Sequence, residues 1–190
     1  MVAFEEIDVA TAHARLAELH PVDVRAEHEF RGPLGRVPGS SLIPLPDLEA
    51  RARELPTGRP LLLVCRSGNR SGKACEKLGA LGVGPVLNLA GGMIAWNRAQ
   101  LPVEHSEPGS LKELLELVVA WVAQVGPLTP DAAREVFGER LGRLGSSFDA
   151  PSPAALDQVL DFVEESLTQT GGPPDLDLSL TAFRRSLAVL

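Results

Sequence analysis

Up to residue 100, short apolar runs alternate with stretches of helical periodicity, and beyond it no run reads as a strand. This alternation predicts an α/β domain, an open parallel sheet with helices on both faces. The strand-free remainder predicts a small all-α domain behind it. Between them LPVEHSEPGS, residues 101–110, has the Pro, Gly and Ser content of a linker. The division expected is therefore 1–105 and 106–190. A chain of 190 residues has room for two small domains.

The elements follow in order. FEEI, residues 4–7, is a short strand candidate, and Asp8 can cap a helix over 9–19. PVDV, 21–24, is a second strand. Residues 31–41 are dense in Gly and Pro and must be loop. SLIPL, 41–45, reads as a strand, and 46–56 as a helix with proline at both ends. LLLVC, 61–65, is apolar without alternation, which implies burial on both faces. A helix over 71–82 puts Ala74, Cys75, Leu78 and Leu81 on one side and ends near Gly82. A strand over 85–90 and a short helix over 91–99 complete the first half.

In the second half, Ser110 and Glu113 form a capping box for a helix over 111–126. Leu111, Leu114, Leu115, Val118, Val122 and Val125 line one face of it, and Leu117, Val119 and Trp121 widen the stripe. That width implies burial on more than one side. Thr129 with Pro130 opens a second helix over 130–145. Ser152 with Pro153 opens a third over 153–170, stopped by Gly171 and Gly172, and 178–190 is a fourth. No internal repeat is evident.

Charge is uneven. Residues 1–105 hold 12 basic and 12 acidic side chains, whereas 106–190 hold 6 and 13. The acidic half disfavours nucleic acid, since phosphate contacts need Lys and Arg. The N-terminus, MVAFEEIDVATAH, is acidic where a signal peptide is basic, and it lacks a long apolar stretch. The most apolar helix is interrupted by Glu116 and is too short to span a bilayer. A soluble, cytoplasmic chain with no membrane partner is expected. Two cysteines, Cys65 and Cys75, are too few for a disulfide framework and form no CxxC pair. His13, His20, His28 and His105 have no metal or catalytic spacing, so no metal and no cofactor are expected.

The chemistry concentrates at CRSGNRS, residues 65–71. A thiol at the carboxyl end of a parallel strand lies where open α/β sheets bind ligands. Residues 66–70 can turn their N–H groups inward as an anion nest. Gly68 permits the backbone angles this needs. Ser71 can cap the following helix, whose N-terminus adds partial positive charge, and Arg66 and Arg70 add full charges. Each favours thiolate over thiol at Cys65. Cys75, on the apolar face of its helix, reads as packing. Lys73 in the first helical turn reads as solvated.

These residues carry a resemblance. CRSGNRS resembles the active-site loop of the rhodanese family, single-domain sulfurtransferases in particular. VDVRAEHEF resembles the family's DVR-x-x-x-EF segment. GRVPGSSLIPL resembles its GH-I-PGA-x-x-IP segment, with Arg36 and Val37 where His and Ile are common. LNLAGGMIAW resembles its NLxGGxxAW segment. The four stretches stand in the family's order and cover roughly residues 3–104. The resemblance implies a rhodanese-like fold for the first half and a sulfurtransferase activity in which Cys65 attacks the outer sulfur of a donor such as thiosulfate. Cys65 then carries a persulfide to a thiol acceptor, or to cyanide in an assay. The CRSG-x-R form implies a thiosulfate-type donor rather than mercaptopyruvate. Arg66, Ser67, Gly68, Asn69, Arg70 and Ser71 are the implied substrate-binding residues, although one arginine can instead brace the loop. Arg25 is a further candidate contact, with pairing to Asp23, Glu27 or Glu29 the favoured alternative. Asn88, Gly91 and Gly92 are expected to shape the turn beside the pocket, and Trp96 to lie in the core.

Two rival functions remain open. Cysteine phosphatases and arsenate reductases on related folds need five residues between Cys and Arg, and here Cys65 and Arg70 have four between them. A sulfur-carrier or regulatory binding module is the other. The acidic helical half resembles no family. A homodimer interface, a wall over the Cys65 pocket, a protein-docking surface or simple stabilisation are its open roles.

Overall fold

A computed structural model describes residues 4–190. The expectations that touch residues 1–3, the leader reading and the first residue of the resemblance, lie outside the described residues. The chain forms two compact units, one of residues up to 30 with 34–105, the other of 31–33 with 106–190.

The first unit carries β1 (Glu5–Ile7), α1 (Val9–Ala14), β2 (His20–Asp23), α2 (Glu27–Phe30), β3 (Ser41–Leu42), β4 (Leu61–Val64), α3 (Asn69–Ala80), β5 (Val86–Leu89) and α4 (Gly92–Arg98). The strands pair in the order β1-β5-β4-β2-β3, every pairing parallel. All four residues of the central β4 are buried. Leu61, Leu63 and Cys65 share one apolar cluster with Ala74, Cys75 and Leu78 of α3. Leu62 and Val64, which alternate to the opposite face, are fully buried too. The helices α1 and α4 meet there, with His13 edge-on to the buried Trp96. Helices thus cover both faces, and the apolar run of β4 needs no alternation.

Several elements differ from their sequence reading. The helix expected over 9–19 breaks at Arg15 into α1 and one 3-10 turn, Leu16–Glu18. The helix expected over 46–56 is a chain of turns ending in a 3-10 turn, Ala52–Glu54. Its bonds run mostly from i to i−3, as in Leu48 to Leu45 and Glu54 to Arg51. Proline stands at both of its ends, Pro46 and Pro56, and the residue before each is biased away from helical angles. The third strand keeps only two residues, because Pro44 has no N–H to donate. Ile43 and Leu45 still donate to Asp23 and Val24. Leu81, expected on the apolar face of α3, is 52% exposed, since the core ends a turn earlier at Leu78. The short α2 was not foreseen.

The second unit holds α5 (Leu111–Val125), α6 (Pro130–Arg143), α7 (Pro153–Gln169) and α8 (Leu176–Ala188). Ser110, Thr129 and Ser152 cap the first three, accepting from N–H groups of Glu113, Ala132 and Ala155 at 3.2, 3.3 and 3.3 Å. The capping box is not reciprocal in the expected form. The Glu113 carboxylate accepts from the Gly109 N–H at 2.7 Å, one residue before the cap. The helices bury one core, with Leu114, Val118, Phe137, Leu156, Leu160 and Phe183 in it. Trp121 and Val119 are buried with the main stripe of α5. The last helix starts at Leu176, ahead of the expected Leu178. No helix among the described residues is long and apolar enough to cross a membrane.

Candidate active site

The central strand β4 stops at Val64, and Cys65 is the first residue past its carboxyl end. The chain then turns through Arg66, Ser67 and Gly68 into α3. Gly68 has φ of +93°, a left-handed conformation that favours glycine. A Cβ there would also press the backbone of Gly91 at 3.1 Å. The turn points the Gly68 N–H at the Cys65 sulfur, 3.1 Å away. The Ser71 hydroxyl lies 3.2 Å from the same sulfur and 3.1 Å from the Gly68 carbonyl. Its one proton serves either acceptor. Two donors aimed at sulfur suit a thiolate, which accepts hydrogen bonds better than a thiol. Helix geometry leaves the first N–H groups of α3 without intrahelical acceptors, and the dipole adds positive charge at the same end.

The loop is held from behind by the Gly91–Gly92 turn. Met93 donates to the Cys65 carbonyl at 2.9 Å and Ile94 to the Arg66 carbonyl at 3.0 Å. Gly92 is required for this approach, since a Cβ would stand 2.3 Å from the Cys65 carbonyl oxygen. Gly91 and Gly92 therefore shape this turn. Asn88 instead sits within β5 and donates to Glu6 at 3.0 Å.

The predicted site residues separate into three groups. Cys65, Gly68 and Ser71 meet at the sulfur. Ser71 does so from inside α3, while Gly68 occupies the cap position, which corrects the reading of Ser71 as the helix cap. Ser67 and Asn69 are exposed at the loop, Arg66 is half-buried there, and Lys73 is exposed in the first turn. The remaining two, Arg70 and Arg25, are engaged by acids. Arg70 donates through both terminal nitrogens to Glu29, at 2.5 and 2.6 Å. These bonds hold its guanidinium above the usual arginine range. Arg25 is 1% exposed, paired with Asp23 at 2.7 Å and bonded to the Gly35 carbonyl at 2.6 Å. A guanidinium so enclosed ties Asp23 to the loop after α2, the pairing with Asp23 that the sequence favoured.

The sequence reading missed Glu29 as part of the site. Its signal was an acidic residue next to Phe30 in a half-apolar segment, but nothing local says that its partner lies 41 positions on. Cys75 packs in the apolar cluster of Cys65, where burial first, then the neighbouring Cys65 charge, pushes its thiol up to about 12. Among the described residues no group of three or more His, Cys, Asp or Glu side chains could hold a metal ion.

Comparisons with known proteins place the first half of the chain. The family model described as Rhodanese-like domain matches residues 8–99. A protein named Sulfurtransferase from Allochromatium vinosum is 40% identical over 105 residues, which cover 54% of this chain and 96% of its own length. Uncharacterized protein YqhL from Bacillus subtilis is 39% identical over 75 residues, 40% of this chain and 58% of its own. The crystal structure of a rhodanese-related protein from Thermoplasma volcanium matches with a TM-score of 0.51 and 26% identity. That match covers 54% of this chain and 100% of that one. With its parallel sheet, its cysteine at the strand end and these relatives, the chain belongs to the rhodanese-like family.

Proposed function

We propose that the protein is a sulfurtransferase that moves a sulfane sulfur through a persulfide on Cys65. The observation that carries this reading is the Cys65 sulfur, seated past a buried strand and facing the Gly68 N–H and Ser71 hydroxyl at 3.1 and 3.2 Å. The Cys65 thiolate attacks the outer sulfur of thiosulfate. A new S–S bond forms, the donor's S–S bond breaks, and sulfite leaves with the electron pair. The persulfide left behind carries one negative charge on its outer sulfur, within reach of the loop donors and the start of α3. An acceptor thiolate then attacks that outer sulfur and regenerates the Cys65 thiolate. Two displacements on one enzyme nucleophile imply ping-pong kinetics.

Burial favours a small donor. Cys65 is 1% exposed, so a compact anion reaches the sulfur more readily than a bulky one. A phosphatase reading is disfavoured by the arginine. An oxyanion cradle needs a guanidinium turned to the ligand, and that of Arg70 is occupied by Glu29. In this reading residues 1–105 perform the transfer, without cofactor, in the cytoplasm.

Intact-mass measurement after mixing with thiosulfate tests it, alongside Cys65→Ser. The expected result is a gain of one sulfur mass, about 32 Da for a covalent sulfur intermediate, removed by cyanide and absent in the variant. No gain, with Cys65 still open to alkylation, refutes thiosulfate as donor.

A further inference from the structure

Resting on that reading, we propose that Glu29 is a positioning residue for Cys65, acting through its paired hydrogen bonds to Arg70. Glu29 is 8% exposed, and burial of a charge this deep is costly unless it is paired. Each of its oxygens accepts from a separate terminal nitrogen of Arg70, at 2.6 and 2.5 Å. One oxygen also accepts from the Ala26 N–H at 3.3 Å, which ties the carboxylate to the start of α2. The pair is therefore two-pronged and anchored at its acidic end.

What it anchors is the reactive loop. Arg70 is the second residue of α3, between Asn69 and the Ser71 whose hydroxyl faces the Cys65 sulfur. Gly68, which donates to the sulfur, precedes it by two residues. Rotation of the first turn of α3 would carry both donors away from sulfur. The rear of the loop is fixed by Met93 and Ile94. On the α2 side Glu29 supplies the matching restraint. The side chain of Arg70 is 35% exposed, so without Glu29 it would be free to follow solvent or a bound anion. Glu29 also cancels a charge next to the donor's approach. The Gly68 N–H stays directed at the sulfur, where a donor would meet it.

The test uses the full chain with Glu29→Gln, Arg70→Gln and the double variant. Two rates are measured: alkylation of Cys65 by iodoacetamide, and thiosulfate-dependent sulfur transfer resolved into kcat and KM. Glu29→Gln should slow both alkylation and kcat by about tenfold, the size of a coupling between contacting residues, and leave KM within about twofold. The double variant should be no slower than the slower single one, since the two side chains act as a unit. Wild-type rates in Glu29→Gln with only a lowered melting temperature would overturn the proposal. So would a lower KM with unchanged kcat, which would make Arg70 a donor-binding residue masked by Glu29. If Glu29→Gln does not fold, Arg70→Gln alone decides, because it removes the same pair from the more exposed side. If the wild type takes no sulfur from thiosulfate, the proposed function fails, while the alkylation rates still decide the role of Glu29.

Discussion

Cys75 and Cys65 are ten positions apart and share one apolar cluster, yet their chemistry diverges. Cys65 stands at a strand end with two polar donors on its sulfur. Cys75 lies on the buried face of α3, where removal from water makes its thiolate costly. A thiol held at about 12 keeps its proton at neutral pH, so the Cys65 sulfur should react with iodoacetamide alone in the folded chain. The same shift couples to stability. Unfolding returns Cys75 towards the ordinary 9.0, so above that value the unfolded chain releases a proton that the folded chain retains. Stability is therefore lost as pH rises from 9.0 towards about 12, and is unaffected by this group below that window. Urea unfolding at about pH 8 and about pH 10.5 should show a smaller loss in Cys75→Ala than in the wild type. An equal loss in both would mean that Cys75 titrates normally in the fold.

Among the elements, α5, α6 and α7 begin on side-chain caps, whereas α3 begins on Gly68 with none. The difference has a physical purpose. A capping side chain would occupy the N–H groups at the start of α3, and those are the groups the Cys65 sulfur and an incoming anion can use. In the helical unit the caps serve stability. Thr129→Ala and Ser152→Ala should each cost about 1 kcal/mol, read from denaturant midpoints, because each leaves a first-turn N–H without its acceptor. A cost near zero at Ser152 would mean that solvent replaces its hydroxyl fully.

At the scale of the whole molecule, the apolar cluster within residues 22–86 and the helical core within 114–183 have no residue in common. Leu78 is fully buried in the first and Phe137 is 1% exposed in the second. Leu78→Ala should cost about 2–5 kcal/mol and Phe137→Ala about 3–5 kcal/mol. Substitutions without shared partners add, so the double variant should equal the sum within about 0.5 kcal/mol. A shortfall well beyond that would reveal coupling between the cores.

The fold was legible in the sequence where one physical constraint dominates locally. The run Leu61–Val64 is apolar because both its faces are covered, Gly68 and Gly92 are glycines because the backbone there approaches too closely for a Cβ, and Ser110, Thr129 and Ser152 mark where helices start. The position of Cys65 at the end of that run follows from the same local signals. What the sequence left open needed partners distant in the chain. Arg25 and Arg70 look alike as letters beside a reactive loop. Only the folding of α2 against the start of α3 gives Arg70 to Glu29, and only the closure of the loop at Gly35 encloses Arg25 with Asp23. Backbone preference and apolar periodicity are written residue by residue, so they can be read from sequence. The ownership of a charge is settled by which opposite charge the fold brings within hydrogen-bond reach, and that is a property of the tertiary structure.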